Sequence, residues 1–222
     1  MARPRLVIIG AGGHARVAAD IVTLSKEFAI AGFIDEVNAE QHGSAFCGST
    51  ILGGNEQLQR LKRDGVGHAF VAIGQSQCRL RWAQTVVENG FELPVLRHPT
   101  AICAADAVIG PGSMLAAGVI VNPAVKIAGS VIVNTAASVD HECVIEEGVH
   151  IGPGVRLGGC VSVGRRAWIG IGAVVKDRIR IGGESIVGAG AVVVKDIPDA
   201  VIAYGNPARV ARPISNDEAA LF

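Results

Sequence analysis

The stretch IGPGVRLGGCVSVGRRAWIGIGAVV, residues 151–175, places an aliphatic residue at every sixth position. The same six-residue step, taken from Ile109 to Val193, meets Leu, Ile or Val at all fifteen positions, and the residue four places further on is small or aliphatic each time. A period of six fits neither an α-helix nor a hairpin meander. It is typical of a parallel β-helix, in which each hexad forms one short strand and a corner.

The corners of this β-helix should lie directly after the aliphatic positions. Gly, Asn and Asp are frequent there, and these residue types best tolerate the positive φ angle that a tight corner requires. We therefore expect positive φ at Gly110, Asn122, Asn134, Asp140, Gly152, Gly158, Gly164, Gly170, Gly182 and Gly188.

The repeat resembles the left-handed β-helix of the hexapeptide acyltransferase superfamily, in which three hexads complete one triangular coil. On that pattern, residues eighteen apart stack on one another and 109–198 forms five coils. Cys143 would point into the prism and would be a poor nucleophile. Such prisms usually associate as trimers, and the apolar residues expected on the outward faces, Ile120, Ile132 and Val144, agree with this indirectly.

Ahead of the repeat, apolar strands alternate with amphipathic helices, a pattern typical of a parallel, doubly wound sheet. We predict an α/β half-Rossmann domain at 1–95, an all-β left-handed parallel β-helix at 96–212 and a C-terminal tail at 213–222, with a proline-containing linker at 93–101. The elements expected in the first domain are strands at 5–9, 29–36 and 68–74 and helices at about 15–25, 55–65 and 78–90.

The turn after the first strand reads GAGGHA, a GxGxxA form of the dinucleotide fingerprint. Glycines let a phosphate approach the backbone, and the start of a helix offers free N–H groups. The domain is short for NAD, so one nucleotide diphosphate fits better; alternatively, the glycines only form a tight turn. The candidate nucleotide-sugar-binding residues are Gly10, Gly12, Gly13, His14, Asp35, Glu36 and Gly74.

The amino-acid composition argues against some kinds of binding partner. With 20 basic and 20 acidic residues the net charge is zero, which argues against electrostatic attachment to nucleic acid or to an anionic membrane. No apolar run is long enough for a membrane span or a signal sequence. The five cysteines form no CxxC pair, so we expect reduced thiols in a cytoplasmic protein.

A half-Rossmann domain that opens with GAGGHA, joined to a hexapeptide β-helix carrying HEC at 141–143 and NPARV at 206–210, resembles a known family. The chain is similar to bacterial nucleotide-sugar N-acetyltransferases that act on UDP- or GDP-linked 4-amino sugars, and to the sialic acid O-acetyltransferases. The resemblance covers nearly the whole chain. It implies a nucleotide-activated amino sugar on the first domain, acetyl-CoA as co-substrate, and a homotrimer with sites between subunits. Two departures are Ala15, where many relatives have Gly, and Arg209, where Lys is common.

The resemblance places the catalytic base on His141, assisted by Glu142, and an oxyanion donor on the Gly159 amide. His141 follows Asp140 at a predicted corner, so its side chain can leave the prism. Gly159 lies eighteen residues on, where it would stack against His141 and leave space for a thioester. The candidate acetyl-CoA-binding residues implied by the resemblance are His150, Ile171, Ala189 and Arg209.

These residues predict direct acetyl transfer. A sugar amine is mainly protonated near neutral pH, and an imidazole, with a reference pKa of about 6.5, can take the proton it must lose. We therefore expect an acetyl-CoA-dependent N-acetyltransferase that forms no acyl-enzyme. O-acetylation of a sugar hydroxyl and a non-catalytic trimeric nucleotide-sugar-binding scaffold are the alternatives. No metal is expected, because His141 and His150 lie half a coil apart.

Overall fold

The computed structural model describes residues 2–215. Most of the predicted tail at 213–222 therefore lies outside the described residues. Within the described part of the chain, no helix is both long enough and apolar enough to cross a membrane.

The first part of the chain folds around a sheet of five strands in the order β3-β4-β2-β1-β5. The strands β4, β2, β1 and β5 pair in parallel, whereas β3 and β4 form an antiparallel hairpin. Parallel pairing with intervening helices is the doubly wound arrangement that the sequence predicts. The elements are β1 Arg5–Ile9, α1 Gly13–Ser25, β2 Ala29–Ile34, β3 Ala45–Phe46, β4 Ser49–Gly53, α2 Leu58–Arg63, β5 His68–Val71 and α3 Ser76–Glu88.

Two details of this α/β part, one in the sheet and one in helix α1, differ from the sequence prediction. The hairpin β3–β4 lies in a segment that has no readable strand pattern, because β3 is only two residues long. Its turn residues, Cys47 and Gly48, both have positive φ, as a two-residue hairpin turn requires. Helix α1 begins at Gly13 and not at Ala15, so His14 belongs to the first helical turn.

The second part is the predicted left-handed parallel β-helix. Its strands are two residues long and pair in parallel with strands eighteen residues away, as Ile120 does with Ser138. The β-helix strands are β6 Leu96–Arg97, β7 Ile102–Cys103, β8 Val108–Ile109, β9 Met114–Leu115, β10 Ile120–Val121, β11 Lys126–Ile127, β12 Ile132–Val133, β13 Ser138–Val139, β14 Val144–Ile145, β15 His150–Ile151, β16 Arg156–Leu157, β17 Ser162–Val163, β18 Trp168–Ile169, β19 Val174–Val175, β20 Arg180–Ile181, β21 Ile186–Val187 and β22 Val192–Val193.

The strands form the three faces of a prism. Face 1 contains β6, β9, β12, β15, β18 and β21, and it is extended by the hairpin of β23 Val201–Gly205 and β24 Ala208–Pro213. Face 2 contains β7, β10, β13, β16, β19 and β22, and face 3 contains β8, β11, β14, β17 and β20. Because β6 already belongs to face 1, the coil begins inside the segment predicted as a linker, ahead of Ile109.

The interior of the prism contains the side chains that the six-residue step identifies. From Leu115 to Val193 every stepped aliphatic residue is buried, and so is every residue four places after them. Cys143 is among these, and burial raises the pKa of its thiol to about 11. It is therefore a poor nucleophile, as predicted. All five cysteines are free.

The prediction of positive φ directly after each aliphatic residue is wrong. Positive φ occurs two residues later, at positions such as Gly112, Glu142 and Cys160. The glycines after the aliphatic residues are needed for a different reason. A Cβ at Gly158 would lie 2.7 Å from the Asp177 nitrogen of the next coil, and other glycines of this set are equally crowded. Close stacking of the coils, and not corner dihedral angles, therefore explains these glycines.

The α/β part packs on face 1 of the prism. Leu96, Met114 and Ile132 on that face form one buried cluster with residues of α1. Ile132 is only 2% exposed, so it does not contribute to an outward surface as predicted. Ile120 on face 2 and Val144 on face 3 remain partly exposed.

Arg79 of α3 links the two parts of the chain. Its guanidinium donates to the carbonyl oxygens of Ser130 and Gly148 in the β-helix, at 2.9 and 2.7 Å. It also donates to the carbonyl oxygens of Ile73 and Gly74 after β5, at 2.9 and 2.5 Å. Burial lowers the pKa of Arg79 to about 10, so the side chain remains a cation at neutral pH.

Candidate active site

A cavity of about 390 Å³ opens where β1, β2 and β5 end, beside the start of α1. Gly10 has a φ of +104°, and a Cβ there would lie 3.1 Å from the Ala72 oxygen. Gly12 and Gly13 face open space, and no side chain caps the start of α1. The backbone N–H groups of this helix end are therefore available to a phosphate.

Asp35 lines this cavity, and its carboxylate accepts hydrogen bonds from the backbone. One carboxylate oxygen accepts a hydrogen bond from the Ala11 amide at 2.9 Å, and the other accepts from the Val37 and Asn38 amides. Asp35 is buried and holds the glycine turn, and its contact with a nucleotide sugar stays a prediction. Glu36 lines the cavity and is more exposed.

Trp82 of α3 was missed by sequence reasoning. It lines the cavity together with Cys78, Ile73 and the glycine turn. An indole face beside a phosphate-binding turn suits a nucleobase, because bases stack on aromatic side chains. The sequence contains one indication of this residue: Trp82 is one of two tryptophans in the chain, and it lies in a predicted helix.

Three rings connect the glycine turn to the β-helix. The centroid of the His14 ring lies 5.2 Å from that of His150, which lies 4.0 Å from that of Trp168. A Cβ at Gly74 would lie 2.9 Å from the His14 ring, so a larger residue there would displace the ring. Burial, together with the charge of Arg79, lowers the pKa of His14.

His150 is 2% exposed on face 1. Burial, then Arg79 and His14, lower its pKa to about 2, so the ring is neutral at working pH. The Asn134 side-chain amide lies 3.3 Å from Nε2, while Nδ1 has no hydrogen-bond partner among the described residues. His150 is thus buried against His14, and its predicted contact with acetyl-CoA stays a prediction.

His141 lies at the edge between faces 2 and 3. The Asp140 carboxylate accepts a hydrogen bond from the His141 amide at 2.8 Å, and Nδ1 of the ring lies 3.0 Å from the Glu142 carboxylate. The hydrogen bond from the Asn122 side chain, followed by the one from His141, lowers the pKa of Asp140. The imidazole points out of the prism, as predicted, and its side chain is 54% exposed.

Gly159 stacks against His141, as the eighteen-residue spacing predicts. A Cβ at Gly159 would lie only 2.5 Å from Nε2 of the ring. The ring itself therefore fills the space that was expected to be open for a thioester, so an acyl group must approach beside the ring. The Gly159 amide donates no hydrogen bond within residues 2–215, which leaves it available to an oxyanion.

The other candidate residues lie on a different edge. Ile171 and Ala189 are exposed at the edge between faces 1 and 2, and Arg209 is exposed on β24, which extends face 1. Within one chain, face 2 separates these residues from His141. The nucleotide cavity, which adjoins face 1, lies on the side of the prism opposite the His141 edge.

Comparison with known proteins identifies relatives of this chain. Residues 5–86 match the PglD N-terminal domain. The chain is similar to a histidine variant of perosamine N-acetyltransferase from Caulobacter crescentus in complex with CoA and GDP-perosamine, with 38% identity, a TM-score of 0.89, and coverage of 94% of this chain and 97% of that chain.

Two further solved structures are similar. One is the acetyltransferase domain of PglB from Neisseria gonorrhoeae FA1090 in complex with acetyl coenzyme A, with 36% identity, a TM-score of 0.88, and coverage of 94% of this chain and 100% of that chain. The other is WeeI from Acinetobacter baumannii AYE, with 26% identity, a TM-score of 0.75, and coverage of 92% and 98%.

The fold is that of a hexapeptide acyltransferase with a fused N-terminal α/β domain. The relatives narrow this further: the chain belongs to the bacterial nucleotide-sugar N-acetyltransferase family and is an acyltransferase. This classification goes against the alternative of a non-catalytic scaffold.

Proposed function

We propose that the protein transfers an acetyl group from acetyl-CoA to the amino group of a nucleotide-linked 4-amino sugar. The main support for this proposal is that one chain has two features. It has a nucleotide-sized cavity beside the N-terminus of α1, and it has the exposed side chains of His141 and Glu142 next to Gly159. The relatives solved with CoA and GDP-perosamine, or with acetyl coenzyme A, support this substrate pair.

His141 is the proposed general base. The Glu142 carboxylate accepts a hydrogen bond from Nδ1–H, which leaves the lone pair on Nε2 free to take a proton from the sugar amine. The amine nitrogen then bonds to the thioester carbonyl carbon. The carbonyl oxygen becomes an oxyanion near the Gly159 amide, and the C–S bond breaks to release CoA.

The site is proposed to be completed by a neighbouring subunit. Face 2 exposes apolar side chains, including Ile102 at 64% and Val174 at 43%. His141 lies on one edge of face 2, and the candidate acetyl-CoA residues Ile171 and Ala189 lie on the other. If face 2 turns towards a threefold axis parallel to the prism, the His141 edge of one subunit meets the opposite edge of the next. His141 and His150 belong to the same coil of the β-helix. A threefold axis parallel to the prism would therefore keep His141 of one subunit level, along the axis, with His150 of the next subunit.

The proposed trimer predicts how a Val174→Asp substitution on face 2 affects assembly and activity. A charge buried on face 2 should dissociate the trimer into monomers and lower activity at least about tenfold, because burying an unpaired charge is costly. Light scattering after size exclusion gives the mass. Val108→Asp on face 3, where Val108 is also exposed, is the control and should remain trimeric. A Val174→Asp variant that stays trimeric and active would contradict this arrangement.

The reaction is tested by incubating the protein with acetyl-CoA and nucleotide sugars that differ only at C4. The 4-amino sugars should release CoA thiol, and the matched 4-hydroxy sugars should not, because a neutral amine is a much stronger nucleophile towards a thioester than a neutral hydroxyl group. Release with the hydroxy sugars alone would favour O-acetylation. Running the GDP-, UDP- and dTDP-linked forms side by side identifies the carrier.

A further inference from the structure

The corner that holds His141 has a second chemical capability. An imidazole nitrogen of His141, a carboxylate oxygen of Glu142 and the sulfur of Cys160 all lie within 4.8 Å of one another. Cys160 comes from the next coil, eighteen residues after Glu142. We propose that this corner binds a thiophilic divalent cation such as Zn²⁺, and that the ion inhibits acetyl transfer. The inhibition, though not the binding, rests on the proposed role of His141.

The separations between the ligand atoms suit zinc. Nδ1 of His141 lies 3.0 Å from Oε2 of Glu142, and Sγ of Cys160 lies 3.8 Å from the same oxygen. Tetrahedral zinc with ordinary bond lengths separates a nitrogen and an oxygen ligand by about 3.3 Å, and a sulfur and an oxygen ligand by about 3.6 Å. Each of these two distances therefore needs a change of only a few tenths of an ångström, and the nitrogen and the sulfur lie within 4.8 Å of each other.

The backbone holds the ligands in place. The Cys160 amide donates to the His141 carbonyl oxygen at 2.9 Å, which fixes the two coils in register. The side chains of His141 and Glu142 are 54% and 63% exposed, so a hydrated ion can reach them. The fourth position of a tetrahedral site would be taken by water.

Binding would remove the base. An ion on Nδ1 displaces the hydrogen bond to Glu142 and leaves the remaining ring proton on Nε2. Nε2 then has no lone pair with which to accept a proton from the amine. The Cys160 thiol would lose its proton to solvent on binding, because the thiolate is the ligand.

Direct binding is tested with Co²⁺ on the full-length protein. The wild type and a Cys47→Ser control should develop the thiolate-to-cobalt charge-transfer absorption, and Cys160→Ser should not. Serine suits this corner, because Ser130 occupies an equivalent position with positive φ. Absence of the absorption from the wild type would overturn the proposal, as would an undiminished absorption in Cys160→Ser.

Inhibition is measured by chromatography of the acetylated product, because the CoA thiol itself binds zinc. In buffered Zn²⁺, Cys160→Ser should keep the basal rate and need at least about tenfold more free zinc for half-inhibition. Equal sensitivity of Cys160→Ser and wild type would overturn the inhibitory role. If no variant acetylates any sugar, the proposed function fails, and the cobalt experiment still decides the metal site.

Discussion

Replacing His141 by Asn should lower kcat by about 10²–10⁴-fold while leaving the affinity for the nucleotide sugar nearly unchanged. Asparagine cannot accept the proton of the amine, and His141 is not among the residues that line the nucleotide cavity. Steady-state kinetics measured with the amino-sugar substrate, together with calorimetric binding of the nucleotide sugar, separate the two effects.

Two further measurements distinguish a base from a merely structural residue. The residual rate of His141→Asn should rise with pH, because the amine deprotonates without help in alkaline solution. Glu142→Gln should lose less activity than His141→Asn, since an amide can still accept a hydrogen bond from Nδ1. Turnover of His141→Asn close to that of the wild type would remove His141 from this role.

Replacing Arg79 by Met should be the most destabilising of these changes, with a loss of at least about 3 kcal/mol. Methionine fills the buried volume but donates no hydrogen bond to the four carbonyl oxygens that Arg79 reaches. Hydrogen bonds from a charged donor are worth about 1.5–3 kcal/mol each, so several are lost together. Thermal unfolding of the purified protein measures the loss.

Arg81→Met is the matched control, because Arg81 is exposed on the same helix. Its melting temperature should equal that of the wild type. Arg79→Met should also bind nucleotide sugar more weakly, since Arg79 holds the Gly74 carbonyl next to His14. A variant with the melting temperature of the control would show that the two parts of the chain associate without this side chain.

The sequence predicted those parts of the site that leave a pattern along the chain, such as a repeat, a fixed spacing or a short motif. The six-step repeat identified the prism interior, and the eighteen-residue spacing correctly stacked Gly159 on His141. The glycine turn at the start of α1 could be predicted because its glycines lie close together in the sequence. The φ prediction failed because glycine is selected for two reasons, dihedral freedom and close approach, and sequence does not separate them.

The sequence alone determined the two-part architecture, the buried residues of the coil and the outward direction of His141, because the period of a repeat is written along the chain. Only the tertiary structure decided that Ile132 is covered, that Asp35 serves the backbone, that Trp82 lines the cavity, and that Arg79 joins the parts. Arg79 reaches carbonyl oxygens 51 and 69 residues away. Contacts across such distances leave no periodic trace, since they depend on how two finished surfaces meet.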